Sequence, residues 1–433
     1  MASYIPKTPQ ERADMLKALG FDDMEALFAH IPNNLRAGAL EIPAGLNEAD
    51  SEAAVEELAA QNRVFTDIFL GAGAYDHYIP PVVSQLSERE EFVTAYTPYQ
   101  AELSQGILQS IFEYQTMICS LLDMDVANAS VYDGGTAAGE AVLMCAERKK
   151  NTVLVSDGLN PQMLDVVKTY CNSYGFCIKS AHLQDGKTVV DAWDDDVFAL
   201  LFAQPNFLGQ IEDAEALCAL AHKNGAKAIM SVHPIAMAML QTPGEAGADI
   251  AVGEGQPLGM PLSFGGPYLG FMAATSAMMR KLPGRIVGQT EDASGKTAYV
   301  LTLQAREQHI KRERASSSIC SNQAQCALKA GMYLAAMGPQ GLLETAENCY
   351  YNAHYLAKRL EELAGFEVLC TGEYFMEFVT KCPVPTKKIV SELAKRGILA
   401  GYPLDEEDML WCATEKCTKP KIDRLIEALE ELL

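Results

Sequence analysis

The regular alternation of apolar runs with helical segments is the feature that most constrains the fold of this chain. The runs VFALLFA (197–203) and KAIMSV (227–232) are almost continuously apolar, as strands buried on both faces of a sheet are. Longer segments with helical periodicity separate such runs. Strands that alternate with helices along a chain build mostly parallel sheets covered by helices. The pattern therefore predicts an α/β fold with a doubly wound, mostly parallel sheet.

The predicted elements also divide the chain into three regions. Helices are expected at 136–149, 161–174 and 213–224, and strands at 152–155, 176–178, 197–203, 228–232 and 250–253. Residues 1–64 contain short helical segments. One is capped by Thr8 with Glu11 as its capping-box partner, and another is expected over 21–30, so this region is predicted to form a helical N-terminal arm. Residues 65–330 then form the large α/β domain. Residues 331–433, which begin with a long helix, are predicted to form a small α+β domain.

Charge and cysteine spacing exclude several classes of function. A formal net charge of −23 disfavours nucleic-acid binding, which requires a basic surface. No apolar run reaches the roughly 18 residues of a membrane span. The N-terminus carries charges and prolines where a signal peptide needs an apolar core, which favours a cytoplasmic location. None of the 12 cysteines forms a CxxC pair, so neither a metal site nor a disulfide is expected.

A glycine-rich helix start at residues 134–136 suggests an anion-binding cup. The free amides of the first helical turn and the helix dipole attract anions, and Gly135 and Thr136 would supply an amide and a hydroxyl. The same residues also suit an ordinary helix cap. The sequence leaves both interpretations open.

A polar and aromatic segment precedes the next long helix, which is predicted over 100–122. Its sequence, TAYTPYQAELSQG, groups four side chains around a proline turn, namely Tyr96, Tyr99, Gln100 and Glu102. Such a group suits the wall of a binding pocket. Tyrosines that pack at a domain edge would give the same pattern. The segment alone therefore does not distinguish a pocket wall from a domain edge.

Positive charge in this acidic chain is concentrated at residues 304–320, QAREQHIKRERASSSIC. Arg306 and His309 could receive a carboxylate or phosphate there. A solvated helix face is the alternative interpretation. His233 lies just after a predicted strand, at the sheet edge where α/β proteins bind ligands, although it could equally be structural.

No lysine occurs between Ala228 and Arg280, a stretch laid out as strand, turn, strand and glycine-rich loop. Many α/β enzymes place in such a stretch the lysine that holds an aldehyde cofactor as a Schiff base. Here Gln256 and Pro257 follow the second strand. The chain therefore has the layout of a cofactor enzyme without the amine that would hold the cofactor.

Taken together, these segments resemble the P-protein of the glycine cleavage system, a glycine decarboxylase. The resemblance spans most of residues 65–340. It is carried by FLGAGAYDHYIPPVV, TAYTPYQAELSQG, FEYQTMICSLLDMDVANASVYDGGTAAGEA, QTPGEAGADIAVGEGQPLGMPLSFGGPY, KLPGRIVGQ and LQAREQHIKRERASSSIC. In many bacteria the P-protein consists of two half-length chains, and the length of this chain resembles that of the N-terminal half, subunit 1.

The resemblance implies a type I pyridoxal-phosphate fold and a shared active site. The complete enzyme would decarboxylate glycine and transfer the aminomethyl group to the lipoyl arm of the H-protein. Pyridoxal phosphate would be bound mainly by subunit 2, which carries the lysine. We therefore expect a heterotetramer with that subunit and no cofactor bound covalently to this chain.

Two other cofactor anchors of the family are changed as well. Val232, His233 and Pro234 stand where an aspartate would pair with the pyridine nitrogen. Gly134 stands where the family usually carries an acidic residue. Of the family's three anchors, only the cup at Gly135 and Thr136 would then remain, either as a weak anion site or as a vestige.

If this chain completes a site on subunit 2, we expect the following roles for the candidate side chains. The predicted catalytic group, which would close around the glycine–cofactor adduct and exclude water, is Tyr96, Tyr99, Gln100 and Glu102. Arg306 and His309 would organise the interface or the lipoyl entrance. Two alternatives remain at this point. One is a homodimeric regulatory or binding homologue without catalytic role, and the other is a self-sufficient enzyme whose lysine lies elsewhere.

Overall fold

The computed structural model describes residues 7–38 and 41–433 of the chain. They belong to two compact units, of which the first ends at Val64 and the second runs from Phe65 to Leu433. The predicted arm, 1–64, includes residues 1–6 and 39–40, which lie outside the described residues.

The first unit contains the α-helices Pro9–Ala18 and Glu48–Ala59. Thr8 begins the first of them with a capping box. Its hydroxyl accepts the Glu11 N–H at 3.2 Å and its own N–H donates to the Glu11 carboxylate at 2.7 Å, as the sequence predicted. The helix expected over 21–30 is wrong, because only the 3₁₀ turn Glu25–Phe28 forms there.

A seven-stranded sheet forms the centre of the second unit. In chain order its strands are β1 (Val126–Ala127), β2 (Thr152–Ser156), β3 (Cys177–Ala181), β4 (Val197–Gln204), β5 (Lys227–Val232), β6 (Ile250–Glu254) and β7 (Gly270–Ala274). Their order across the sheet is β1-β7-β6-β5-β4-β2-β3. Strands β2 to β6 pair in parallel, while β7 runs antiparallel to both of its neighbours. The predicted mostly parallel, doubly wound sheet is confirmed.

Side chains of the central strands enter separate cores on the two faces of the sheet. In β5, Ala228, Met230 and Val232 join one core cluster, whereas Ile229 joins the other. This alternation explains the continuous apolar run, because both faces are buried. The helices packed around the sheet are Gln105–Leu122, Gly134–Cys145, Pro161–Tyr174, Ala214–Lys223 and Pro243–Ala246.

The C-terminal part of the second unit forms a core of its own around Trp411. Its four-stranded antiparallel sheet has the order Glu367–Val368, Glu377–Lys381, Asp408–Cys412, Tyr402–Pro403. The helices are Ala324–Glu361, which is interrupted at Gly338 (φ 62°), Thr386–Lys395 and Lys419–Glu430. The interruption lies where the sequence places Gly338-Pro339.

Short elements complete the second unit. The paired strands are Asp67–Ile68 with Ile398–Leu399, Leu183–Gln184 with Lys187–Thr188, and Ile286–Glu291 with Thr297–Thr302. The remaining short helices are Pro81–Ser87, Glu90–Val93 and Gln308–Lys311. Within the described residues, no helix is both long enough and apolar enough to cross a bilayer.

Candidate functional site

A cavity of about 600 Å³ opens at the carboxyl ends of the central parallel strands. Ala203 of β4, His233 after β5 and Glu254 at the end of β6 line it. The first turn of the helix Gly134–Cys145 and Glu377 of the small sheet complete its wall. Open α/β sheets bind their ligands at this edge, so the cavity is the candidate functional site.

Carboxylates of the chain itself occupy the predicted anion cup. The Asp133 side chain accepts the Thr136 N–H at 2.7 Å, and the Glu254 side chain accepts the Gly134 N–H at 3.0 Å. These are amides that a bound phosphate would otherwise use. Gly135 does line the cavity, whereas Thr136 is buried behind it. The helix start is therefore capped from within.

Glu254 is held firmly in this position. Besides the Gly134 amide, its carboxylate accepts the N–H groups of Gln256 and Leu269, each at 3.0 Å. Burial raises the pKa of Glu254 to about 7, although these three hydrogen bonds act in the opposite direction. The cup thus contains a buried acid where a phosphate-binding site would need an open donor.

The charges around the cavity also disfavour a phosphorylated cofactor. Its lining contains the carboxylates of Asp133, Glu254 and Glu377. Among the lining residues, all in the described part of the chain, there is no lysine or arginine. A phosphate dianion placed here would meet acidic groups without a compensating cation. The residues present do not fit covalently held pyridoxal phosphate.

Gln256, at the position expected for the Schiff-base lysine, serves the backbone instead. Its buried side chain accepts the Tyr75 N–H at 2.9 Å and donates to the Tyr75 carbonyl at 2.9 Å and to the Met260 carbonyl at 2.8 Å. All three contacts are made to main-chain groups. Gln256 is a structural clamp and does not line the cavity.

His233 borders the cavity at the end of β5, where the sequence placed it. Neither ring nitrogen has a hydrogen-bond partner, and the ring packs edge-on against Tyr75 with centroids 4.7 Å apart. Burial lowers the pKa of His233 well below its usual value, so the imidazole is neutral at neutral pH. A neutral imidazole cannot replace the missing aspartate as an anionic partner for a pyridinium.

The loop 70–75 and Glu377 form a part of the site that sequence reasoning missed. The Tyr75 hydroxyl donates to Glu377 at 2.9 Å and the Ala72 N–H donates to it at 2.7 Å. A Cβ at Gly71 would lie 2.3 Å from the same carboxylate, which explains this glycine. Burial raises the pKa of Glu377 to about 7. The repeated glycines of FLGAGAY were the sequence feature that could have indicated this close backbone approach.

The four residues of the predicted catalytic group do not line the cavity. Tyr96 is 97% exposed, and the side chains of Gln100 and Glu102 are exposed in the turns before the helix that begins at Gln105. The Tyr99 hydroxyl donates to the Ser321 carbonyl at 2.5 Å. Tyr99 is thus engaged inside the chain, while the other three side chains are available at its surface.

The basic segment contributes no side chain to the cavity either. The Arg306 guanidinium donates to the carbonyls of Leu282 and, at 2.6 Å, Gly284. Burial lowers the pKa of Arg306 from its usual value. His309, in the helix Gln308–Lys311, is exposed. Of the two predicted residues, Arg306 therefore anchors a loop, and His309 is free to meet a partner.

The sheet order and the position of the cavity define the class of the fold, that of the type I pyridoxal-phosphate-dependent enzymes. The described chain superposes with a TM-score of 0.63 on a C-DES mutant with glycine covalently linked to its PLP cofactor, covering 86% of this chain and 98% of that chain. At 14% identity, this likeness supports the fold alone. The predicted fold class is confirmed.

The chain belongs to the glycine cleavage system P-protein family, whose profile matches residues 2–429. The probable glycine dehydrogenase (decarboxylating) subunit 1 of Moorella thermoacetica is 48% identical over 443 residues, which covers 100% of both chains. The crystal structure of a glycine decarboxylase (P-protein) of the glycine cleavage system, in inhibitor-bound form, is 41% identical. It superposes with a TM-score of 0.95 over 100% of both chains. The family predicted from the sequence is confirmed.

Proposed function

We propose that this chain is the subunit of a heteromeric glycine dehydrogenase (decarboxylating) that lacks the Schiff-base lysine. The family, and relatives of full length named as subunit 1, support the role of a P-protein subunit. The main observation in favour of this division of labour between the two subunits is the set of contacts made by the Gln256 side chain. This side chain occupies the lysine position and is fully used in binding the backbone of Tyr75 and Met260.

The cofactor then belongs mainly to the partner subunit. Pyridoxal phosphate, bound mainly by subunit 2, supplies the electron sink for decarboxylation of glycine. The lipoyl arm of the H-protein accepts the aminomethyl group. The acidic cavity and the self-capped helix of this chain support the proposal, because both disfavour a second phosphorylated cofactor here.

The exposed segment 94–106 supplies this chain's contribution to the partner's site. Tyr96 projects from the surface, and Gln100 and Glu102 are exposed beside it. In this arrangement the three side chains close over the reacting glycine and keep water from the reacting carbon. Tyr99 acts as a positioning residue, because its hydroxyl and the stacked Arg285 guanidinium, 3.8 Å from the ring centroid, fix the segment.

The basic segment contributes to assembly in this proposal. Arg306 holds the loop Leu282–Gly284 in place through its carbonyls, and the exposed His309 contacts subunit 2 or borders the lipoyl entrance. Two copies of each subunit form a heterotetramer in the cytoplasm. A homodimeric regulatory homologue is not favoured, because the relatives of full length are named as subunits of the dehydrogenase.

Co-purification and glycine–bicarbonate exchange test the proposal. The full chain is expected to purify with a lysine-bearing chain of similar size, to be colourless by itself, and to catalyse exchange only when mixed with that partner. Tyr96→Phe is expected to reduce exchange, and Tyr99→Phe to reduce it through misplacement of the segment. Tyr174→Phe, at another exposed tyrosine, is the matched control.

The possible results separate the alternatives. Unchanged exchange in both Tyr96→Phe and Tyr99→Phe would remove these tyrosines from the site. Exchange by the chain alone would instead support a self-sufficient enzyme. Failure to assemble with any lysine-bearing chain would favour the homodimeric homologue.

A further inference from the structure

A compact group of three potential metal ligands lies beside the cavity, outside the site described above. The His77 Nδ1 is 2.7 Å from a Glu415 carboxylate oxygen, and the Cys349 Sγ is 3.3 Å from the same oxygen. The ligand atoms of all three residues lie within 4.8 Å of one another. His77 and Cys349 are buried, and the Glu415 side chain is only 14% exposed. We propose that His77, Cys349 and Glu415 bind a thiophilic divalent cation of the zinc type.

The chemistry of the three donors selects this class of cation. Imidazole nitrogen, thiolate sulfur and carboxylate oxygen together are typical ligands of zinc, whereas magnesium and calcium prefer oxygen alone. Three protein ligands leave the fourth tetrahedral position to water. The donor set therefore fits a zinc-type ion better than the hard cations.

The spacing of the donors is close to that of a loaded site. Zinc bond lengths put tetrahedral N–O and S–O edges at roughly 3.4–3.6 Å. The present separations, 2.7 Å and 3.3 Å, are hydrogen-bond distances. For these two pairs, shifts of less than about 1 Å convert one arrangement into the other, because an ion replaces the hydrogen atoms between the donors. The ligand atoms of the third pair, His77 and Cys349, lie within 4.8 Å of each other.

The proton balance of binding is simple. The Cys349 thiol releases its proton to solvent when its sulfur becomes a ligand. Binding through Nδ1 uses the His77 tautomer that carries its proton on Nε2. His77 Nε2 has no partner, and the ring of His233, whose nitrogens are also unpartnered, has its centroid 5.6 Å away.

The backbone around the ligands is already fixed. The Thr414 hydroxyl donates to the Asp76 carbonyl at 2.9 Å, and the Lys416 ammonium pairs with the Asp76 carboxylate at 2.6 Å. The Tyr78 N–H donates to Glu415 at 2.5 Å. These contacts hold His77 and Glu415 opposite each other, as hydrogen bonds from surrounding groups orient the ligand residues in metal sites.

Sequence spacing could not reveal this group. Glu415 is 338 residues from His77 and 66 residues from Cys349, so no local motif forms. The three ligands come from the loop after residue 70, the helix Ala324–Glu361 and the turn after the strand Asp408–Cys412. An ion would join these three segments next to Tyr75, which lines the cavity.

Metal binding by the full chain tests the proposal. After treatment with a chelator, the chain is titrated with Zn²⁺ in competition with a chromophoric chelator, and with Co²⁺ to follow the thiolate-to-metal charge-transfer band. We expect one equivalent of Zn²⁺ per chain and one such band. Cys349→Ser and His77→Gln should weaken binding on the order of 100-fold or more. The control is Cys326→Ser, because Cys326 is buried on the same helix.

Specific results would contradict the proposed metal site. No stoichiometric Zn²⁺ binding by the wild-type chain, or a cobalt band that persists unchanged in Cys349→Ser, would show that the cluster is only an internal hydrogen-bond network. If a variant fails to fold, zinc X-ray absorption of the wild-type chain decides. One sulfur at about 2.3 Å beside nitrogen and oxygen ligands supports the site, and any other sulfur count contradicts it.

Discussion

The side-chain amide of Gln256 hydrogen-bonds both the N–H and the carbonyl of Tyr75, each at 2.9 Å. This contact fixes the backbone of the loop 70–75, which lines the cavity. Gln256 is therefore part of the scaffold that supports the cavity wall.

Replacement of Gln256 should consequently affect stability rather than cofactor binding. Gln256→Ala leaves the Tyr75 N–H and the Tyr75 and Met260 carbonyls without their partner, which should cost about 2–4 kcal/mol of unfolding free energy. Gln256→Lys should also destabilise the chain and should produce no Schiff-base absorbance with pyridoxal phosphate. Denaturant unfolding and visible spectra check both expectations.

Gln162→Ala is the matched control for this prediction, because Gln162 is an exposed residue on the rim of the same cavity. Its stability should stay within about 0.5 kcal/mol of the wild type. A stable, coloured Gln256→Lys chain would show that the acidic cavity still accepts the cofactor.

Much of the central fold could be predicted from the sequence because its elements are long and periodic. The helix Pro161–Tyr174 forms over the residues expected, and β4 and β5 differ from the predicted strands by one residue each. β7 was missed because GFMAA lacks the β-branched residues of its neighbours and follows a glycine-rich loop. Hydrogen bonds to β6 stabilise this strand, although its local sequence has a low strand propensity.

The site was less predictable because its parts meet only in the folded chain. Tyr75 and Glu377 are 302 residues apart, and no local pattern announces their hydrogen bond. Tyr96, in the segment predicted to be catalytic, lies at the surface and not in the cavity. A residue that functions only in contact with a partner subunit does not have to line the cavity of its own chain.

The buried acid Glu377 should make stability depend on pH. Its pKa rises from 4.5 to about 7 in the folded chain because burial disfavours the charged form. Its contribution to stability is full below pH 4.5 and is lost as the pH rises through 7. Between pH 5 and 8, the wild type should lose up to about 3 kcal/mol more than Glu377→Gln.

Denaturant unfolding of both proteins across this range measures the difference. In Glu377→Gln the amide still accepts the Ala72 N–H and donates to the Tyr75 hydroxyl, so the neutral variant should fold. Glu215→Gln, at an exposed acid, should follow the wild-type curve. Parallel curves for the wild type and Glu377→Gln would mean that the carboxyl ionises at its ordinary pH.

Tyr99 and Tyr96 should respond differently to loss of their hydroxyls. Tyr99→Phe removes the hydrogen bond to the Ser321 carbonyl and should lower the unfolding free energy by about 1 kcal/mol. Tyr96→Phe should change it by less than about 0.5 kcal/mol, because this side chain is 97% exposed. Thermal melts of the unassembled chain check this, and equal losses in the two variants would contradict it.

Arg306 should stabilise this chain even in the absence of a partner. Its guanidinium donates to two carbonyls at once, those of Leu282 and Gly284, and a lysine cannot reproduce this forked geometry. Both Arg306→Ala and Arg306→Lys should therefore cost about 2–4 kcal/mol of unfolding free energy. Arg314→Ala should change little, since that side chain is 84% exposed.

The outcome for Arg306 separates an internal anchor from a residue that recognises a partner. An internal anchor lowers the melting temperature of the isolated chain, and any loss of assembly follows from the displaced loop. A partner-binding residue leaves the isolated chain as stable as the wild type and weakens assembly alone. Because the guanidinium is already bound to two backbone carbonyls, we expect the first result.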